Sequence, residues 1–422
     1  MKRSLRTLIC AVLAAALLLP AVVYGAAASG SSTGEPAAAA EDSQTQDENE
    51  DKKDIMILYT SDIHCGIDEG FGYAGLEQIC KYEQEKGYEV ILVDDGDNIQ
   101  GDPLGLLTKG DALIDLMNKM GYSVAIPGNH EFDYGVDNFL SLAEKAQFKY
   151  ISCNFQYKGE NVFDPYVIRE IGGRKIGFVG VTTPTTITAS KPTLFEDENG
   201  EFVYSFLQDE TGEGVYNAVQ SAVDNARKEG AEYVIVLGHL GNEEQCRPWT
   251  YADVISHTNG IDAFLDGHSH DTDQVIMKNK EGKKVPRSAC GTGMQCIGWC
   301  RIPVVGEVTA GVYSWTMDDP APEVFEIENE MSEAVEEARA KVQALMEEKI
   351  AVSGQDLTIN DPVAVDPKWG KVRMVRRAET NLGDLCAEAM RSAMGADIGY
   401  MNGGGLRADI AAGDITFNDI LS

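Results

Sequence analysis

The sequence predicts an α/β fold built round a layered central sheet. Three observations carry that expectation. Short runs apolar at nearly every position recur from residue 55 to about 315. Helix-like stretches separate several of them. Short clusters of Asp, Asn, His and Gly stand just after the runs. Runs apolar on both faces suit strands covered on both sides. The 422 residues are enough for two domains and a sizeable core.

Taken in order, the chain starts with a secretory-signal pattern. Lys2, Arg3 and Arg6 precede an apolar core over 8–19, Pro20 breaks it, and Ala26-Ala27-Ala28 offers small residues for cleavage. Residues 1–28 are expected to be removed; the alternative is an uncleaved anchor, for which the apolar core is short. Residues 29–54 are Ala, Ser, Gly and acidic residues, a composition expected to form a disordered acidic linker. The strand-like runs are 55–59, 90–93, 124–126, 175–179, 234–237 and 263–265. Helices are expected over 104–120 and 215–229. The first domain therefore spans 55–325. After the breaker-rich segment Asp318-Asp319-Pro320-Ala321-Pro322, Val335, Ala338, Val342, Leu345 and Met346 recur at helical spacing, predicting a linker helix within 326–352. Residues 353–422 read as a second, α+β domain, short for a stable one, whose remainder is expected beyond Ser422.

The formal net charge is −33, from 35 basic and 68 acidic residues. Such a surface disfavours binding to a nucleic-acid polymer or an anionic membrane. It also repels a phosphate substrate unless cations gather locally. No stretch after the signal is long and apolar enough to span a membrane. Of nine cysteines, Cys10 lies in the signal; the other eight could pair in an exported protein, in no order that spacing reveals. Cys296-x-x-x-Cys300 is a poor zinc signature. Oligomeric state is not legible.

Histidine is scarce, six in all. Five sit beside other good ligands at the ends of apolar runs: Asp62-Ile63-His64, Gly128-Asn129-His130-Glu131, Gly238-His239 and Gly267-His268-Ser269-His270. Gly96-Asp97 ends another run. Side chains at the carboxyl ends of strands converge on one edge of an α/β sheet. Asp62 and His64, two apart on an extended segment, would share a face. Asp97, between Gly96 and Gly101, is free to bridge two ions. Asn129 offers an amide oxygen; His239, His268 and His270 offer imidazoles. This mixture of N and O donors suits Zn, Mn, Fe or Co rather than Ca. Two such ions ~3.5–4 Å apart clamp an in-line phosphoryl displacement, with a bridging hydroxide as nucleophile. His130 and Asp133 either form a dyad that serves the phosphoryl or leaving-group oxygen, or act as a ligand and a helix cap. Cys65 either touches a metal or packs in a tight loop. His257 stands alone and reads as a surface or helix-end residue.

These motifs, together with Gly96-Asp97-Asn98-Ile99-Gln100-Gly101 and the extended Gly128-Asn129-His130-Glu131-Phe132-Asp133-Tyr134-Gly135, resemble the calcineurin-like metallophosphoesterases, in the 5′-nucleotidase and UDP-sugar hydrolase branch. Their order and spacing hold over most of 55–275. The resemblance implies a four-layer sandwich, two central sheets flanked by helices. It implies one metal held by Asp62, His64 and His270, another by Asn129, His239 and His268, with Asp97 between them and His130–Asp133 as catalytic dyad. Cys65 departs from the family, which more often has Gly or Asn there, and position 270 varies between His and Gln.

Glu379-Thr380-Asn381-Leu382-Gly383-Asp384-Leu385 and Asn402-Gly403-Gly404-Gly405-Leu406-Arg407 resemble the start of the nucleotidase C-terminal domain. The glycines, Gly404 among them, let backbone approach a ligand; Arg407 offers a planar fork for phosphate or carboxylate. Alone, this loop reads equally well as a structural turn. The family would use Asn402 and Arg407, and an Arg before the Glu-Thr-Asn motif, here Arg376 ahead of Arg377. Its base-stacking aromatics fall beyond Ser422, so the chain as given is expected to hydrolyse activated phosphate esters weakly and to bind nucleotides poorly. The function expected is that of an exported, dinuclear-metal phosphohydrolase acting on nucleotides. The alternatives are a 2′,3′-cyclic-nucleotide phosphodiesterase or UDP-sugar hydrolase, and a surface binding protein that keeps metals without turnover.

Overall fold

The computed structural model describes residues 52–314, 328–366, 370–406 and 408–421. The expected signal peptide, nearly all of the acidic linker, the segment Asp318–Pro322 and Arg407 lie outside the described residues. Asp54, expected as the last linker residue, belongs to the fold. Its carboxylate accepts from Arg301 (2.6 Å) and from the Val304 amide (2.7 Å).

In chain order the strands of the two large sheets are β1 (Ile55–Thr60), β2 (Glu89–Asp94), β3 (Val124–Ala125), β4 (Lys149–Tyr150), β5 (Tyr166–Ile171) and β6 (Arg174–Thr182). They continue with β7 (Tyr233–His239), β8 (Ala263–Asp266), β9 (Thr272–Lys278), β10 (Lys284–Cys290), β11 (Cys296–Ile302) and β12 (Thr309–Ser314). The principal helices between them are α1 (Gly72–Glu85), α2 (Pro103–Thr108), α3 (Asp111–Met120), α4 (Val136–Lys145), α5 (Glu213–Lys228) and α6 (Tyr251–His257). Two six-stranded sheets result, in the orders β12-β11-β1-β2-β3-β4 and β9-β10-β8-β7-β6-β5. In the first sheet β1 through β4 run parallel, with β4 at the edge, and β11 and β12 pair antiparallel on the other side; in the second β6, β7, β8 and β10 run parallel and the edge strands β5 and β9 pair antiparallel.

Alternation along the strands sorts side chains into layers. Ile55, Ile57 and Tyr59 of β1 pack with Ile176, Phe178, Ile235 and Leu237 of the second sheet, forming the core between sheets. Met56 and Leu58, one residue out of phase, pack instead with Leu76, Leu104, Leu113 and Met117 of the covering helices. Val234 and Val236 of β7 face Val215, Val219 and Val223 of α5. Helix, sheet, sheet and helix therefore stack as the expected four layers.

The expected helix over 104–120 is two helices. Lys109 and Gly110, at φ 51° and 88°, break it and let α3 start afresh. The linker helix, α7, is Glu330–Met346, inside the expected 326–352, and stops there because Lys349–Ser353 forms a strand, β13. Asn329 and Ser332 cap its start reciprocally, side chain to amide, at 2.9 Å each way. Beyond it come β14 (Asn360–Asp366), β15 (Gly370–Arg373), α8 (Asn381–Ala393) and β16 (Gly413–Thr416). β13 pairs with β16, and β14 with β15. Leu357, Ile359, Leu382, Ile410 and Ile415 form a small core there.

All eight cysteines from Cys65 onward are unpaired, against the expected possibility of disulfides, and six are buried. Cys296 and Cys300 sit inside the core between the sheets. Among the described residues no helix is long and apolar enough to cross a membrane.

Candidate functional site

The parallel strands of both sheets end at one edge. β1 delivers Asp62 and His64, β2 delivers Asp97, and β3 delivers Asn129 and His130. In the second sheet β7 ends on His239, and β8 delivers His268 and His270. Two clusters of donor atoms form there: Asp62, His64 and His270, and Asp97, His239 and His268. Within each, one donor atom per residue lies within 4.8 Å of the others. Asp97 stands between them, its Oδ2 3.0 Å from His239 Nε2 and 4.0 Å from His64 Nε2.

The segment holding Asp62 and His64 is not extended. Asp62, His64 and Cys65 have φ of 53°, 48° and 63°. The shared edge comes instead from a left-handed turn. Asp97, His268 and His270 are also left-handed, at 60°, 83° and 54°. Each such residue costs of order 1–3 kcal/mol and persists only where its surroundings over-determine it. The determinants are visible. The His64 and Cys65 amides donate to the Asp97 and Asn98 carbonyls (3.0 and 3.1 Å), and the Asp62 amide donates to Gly96 O (2.8 Å). Buried Glu131 accepts from the amides of Asp97, Asn98 and Gly128 at 2.7–2.8 Å. A Cβ on Gly128 would run into the Asp97 carboxylate, so the third loop fits against the second only with glycine there.

The donors suit metal ions. His64 Nδ1 donates to the Gln100 carbonyl (3.0 Å) and His239 Nδ1 to the Asp95 carbonyl (2.7 Å), which turns each Nε2 into the site. His64 Nε2 and His270 Nε2 lie 3.1 Å apart, a spacing that a shared cation satisfies. Asn129 Oδ1 is buried without a hydrogen-bond partner. His239 Nε2, although 3.0 Å from Asp97, makes no hydrogen bond of acceptable geometry. Burial opposes charge on Asp97, yet His239, His130 and His64 outweigh it and hold the carboxyl below its usual range. Burial and the neighbouring His239 press His268 down to about 4, towards the neutral ring a metal needs.

His130 Nδ1 lies 2.6 Å from Asp133 Oδ2. Burial would lower the His130 pKa, but the Asp133 hydrogen bond and the charges of Asp97, Asp133 and Glu131 lift it to about 9. Its ring stands edge-on to that of His64, centroids 5.2 Å apart. Ser190 Oγ lies 2.8 Å from the Asn129 carbonyl and 2.9 Å from Asp133 Oδ1, tying the dyad to a ligand loop.

Three further residues carry no signal in the sequence. Ser190 is one. Arg287, fully buried, is another. Its Nη2 donates to Asp266 (2.8 Å) and its Nη1 to Asp271 (3.0 Å), and Asp266 accepts from the Leu240 and Gly241 amides. Arg287 thus fixes the chain on both sides of His268–His270 and just after His239. Arg339, on α7, is the third. Glu131 lies inside the motif, but only the structure gives it a role. Cys65 packs rather than ligates. Its buried Sγ lies 3.6 Å from the Asn98 carbonyl, and burial pushes the thiol up to about 12. His257 ends α6 and stacks on Tyr216 at 4.3 Å.

In the C-terminal part, Arg376, Asn402 and Gly404 come together. A Cβ on Gly404 would lie 3.3 Å from Arg376 Nη2 and 3.1 Å from Asn402 Nδ2. Arg376 and Asn402 are exposed, and Arg373 donates to the Gly404 carbonyl (3.4 Å).

Comparison with known proteins follows the same division. Residues 55–272 match the calcineurin-like phosphoesterase family, and residues 358–422 match the 5′-nucleotidase C-terminal domain. The trifunctional nucleotide phosphoesterase protein YfkN of Bacillus subtilis is 30% identical over 252 residues, covering 51% of this chain; the chain spans 16% of that protein's length. Protein UshA of Yersinia enterocolitica is 27% identical over 420 residues, 89% of this chain and 72% of UshA. The crystal structure of a 5′-nucleotidase precursor from Thermus thermophilus superposes with a TM-score of 0.58 at 25% identity, over 87% of this chain and 73% of that one. The chain belongs to the calcineurin-like phosphoesterase family, in the branch that joins this domain to a 5′-nucleotidase C-terminal domain.

Proposed function

We propose that the chain is an exported, metal-dependent phosphoric ester hydrolase that removes phosphate from nucleotides. One observation carries the reading: two three-residue donor clusters, drawn from both sheets, meet at one edge, and Asp97 of one lies 4.0 Å from His64 of the other. In this reading Asp62, His64 and His270 hold one divalent ion, and Asn129, His239 and His268 hold the other. The two ions, when bound, supply charge stabilisation for the phosphoryl oxygens and generate the nucleophile from water. Asp133 fixes His130 through Nδ1, leaving Nε2 to donate to a phosphoryl or leaving-group oxygen. Arg376, Asn402 and the Gly404 backbone offer donors for the nucleotide, and the sequence motif adds Arg407. Export rests on the N-terminal pattern of residues 1–28, and the domain limits on the composition changes near residues 325 and 352.

Similarity to the 2′,3′-cyclic-nucleotide 2′-phosphodiesterase/3′-nucleotidase of Haemophilus influenzae, 29% identical over 270 residues, favours a second reading, in which cyclic nucleotides are also cleaved. Hydrolysis of AMP, 2′,3′-cyclic AMP and UDP-glucose, each with Mn²⁺, Zn²⁺ and Co²⁺, separates these. AMP hydrolysis lost to chelator and restored by metal is expected. Turnover of none of the three with any metal would leave a metal-holding binding protein instead.

A further inference from the structure

The loops that carry the donor atoms are held from behind by α7. The helix first docks on α1: Asn329 Nδ2 donates to the Ala74 carbonyl (2.9 Å), and the Met331 amide donates to Glu77 Oε2 (3.0 Å). Met331, Ala334, Val335, Ala338 and Val342 bury its apolar stripe in the core beneath the first sheet. Just over two turns past Met331, Arg339 reaches the ligand loops. Its Nε and Nη2 take both oxygens of Asp68 (3.1 and 2.6 Å), its Nη1 donates to Asp102 Oδ2, and its Nη2 donates to the Cys65 carbonyl (3.3 Å). A guanidinium spans three acceptors in fixed directions, which a lysine cannot do.

Two of those acceptors belong to the segments that hold His64. Cys65 follows it in the chain. Asp102 stands two residues past Gln100, whose carbonyl takes the His64 Nδ1 hydrogen (3.0 Å). The second oxygen of Asp102 accepts from the Leu104 amide (2.6 Å), so Asp102 is itself fixed as the cap of α2. A closed circuit runs from Arg339 through Cys65, His64, Gln100 and Asp102 back to Arg339. Among the described residues Arg339 bonds to none of the metal-donor side chains. It fixes the two backbone segments that aim the His64 ring.

We propose that Arg339 is a positioning residue for the ion held by Asp62, His64 and His270, so that affinity at this position depends on how α7 is docked. The inference rests on the two-metal reading above. Partners that orient a ligand from outside typically change metal affinity by about 10–100-fold. Asn129, His239 and His268 arrive on other strands and are not among the groups Arg339 bonds, so the second position keeps its affinity.

Equilibrium dialysis of Mn²⁺ against the full-length chain tests this, with wild type, Arg339→Met, Arg339→Lys, His64→Ala and the His64→Ala/Arg339→Met double variant. Methionine keeps helix propensity. Wild type is expected to bind two ions. Arg339→Met should weaken one binding step by about tenfold or more, with Arg339→Lys in between. In the His64→Ala background Arg339→Met should add nothing, because the group it acts through is gone. Wild type binding two ions and Arg339→Met binding both as tightly would overturn the inference alone. An equal loss in both backgrounds would overturn it too, by showing an effect on the fold at large, and this comparison holds even if Arg339→Met lowers stability. Wild type binding fewer than two ions would remove the two-metal reading and the inference with it.

Discussion

The two regions that offer functional side chains are built differently. At the sheet edge Asp62, Asp97, Asn129 and His239 are buried, each at most 3% exposed. His64 and His239 are tied through their second ring nitrogen, and Asp97 through the His130 amide at 2.7 Å. Around Gly404 the donors are exposed, and Asn402 contacts its own loop, its Oδ1 accepting from the Gly404 amide (3.2 Å). The first region spends backbone strain and buried charge on fixing positions before anything binds, which is what charge development in a reaction requires. The second offers hydrogen bonds that water can also make, and in the proposed function it would select the bound group.

That contrast can be broken or sharpened by experiment. The largest effect should come from His130→Ala, which removes a group set beside the ligands without removing a ligand. Turnover should fall by about 10²–10⁴-fold while metal content stays full; unchanged turnover would sink the dyad. Arg376→Ala should act on the other side of the comparison. Losing a charge-assisted hydrogen bond, worth about 1.5–3 kcal/mol before solvent screening, should raise KM for AMP and leave p-nitrophenyl phosphate unaffected. An equal change for both substrates would mean that Arg376 does not select the nucleoside.

The smallest effect is an acid sensitivity confined to the C-terminal part. Partial burial works against ionising Asp409, but hydrogen bonds from Lys371, the Ile359 amide, Asn360 and Thr358 outweigh it and hold the carboxyl well below its usual range. A depressed carboxylate stabilises the folded state above its unfolded pKa, near 4, and that contribution is lost as pH falls towards the folded value. Pepsin cleavage within 353–421 should therefore rise as pH drops below about 4. Asp409→Asn should be cleaved more readily throughout and lose that step; the same pH dependence in both proteins would contradict the assignment.

Much of the architecture was legible because it is local. Runs such as 234–237, apolar at every position, become strands covered on both faces, and the clusters that end five of the six runs become one sheet edge. The sequence around Asp62 and His64 reads as extended, because non-glycine residues adopt left-handed backbone only when distant loops hold them there. The break at Lys109–Gly110 leaves no mark in the pattern, because 104–120 keeps helical periodicity across it. Ser190, Arg287 and Arg339 were invisible for a further reason. Arg339 meets Asp68 across 271 residues, and no pattern in either neighbourhood records the pairing. Glu131 sat inside a recognised motif, yet its task of gathering three amides is a fact of three dimensions.

Asp62, Asp97 and Asn129 hang from one sheet, and His239, His268 and His270 from the other. Any ion that both sets share is a cross-link between two layers whose shared core is largely apolar. Occupancy then becomes a term in the unfolding equilibrium: at a free-metal concentration 100 times Kd, one site adds about 2.7 kcal/mol to the folded state. Metal supply would thus set how long the molecule lasts as well as whether it turns over. In an environment that strips metals, loss of activity and loosening of the fold would arrive together.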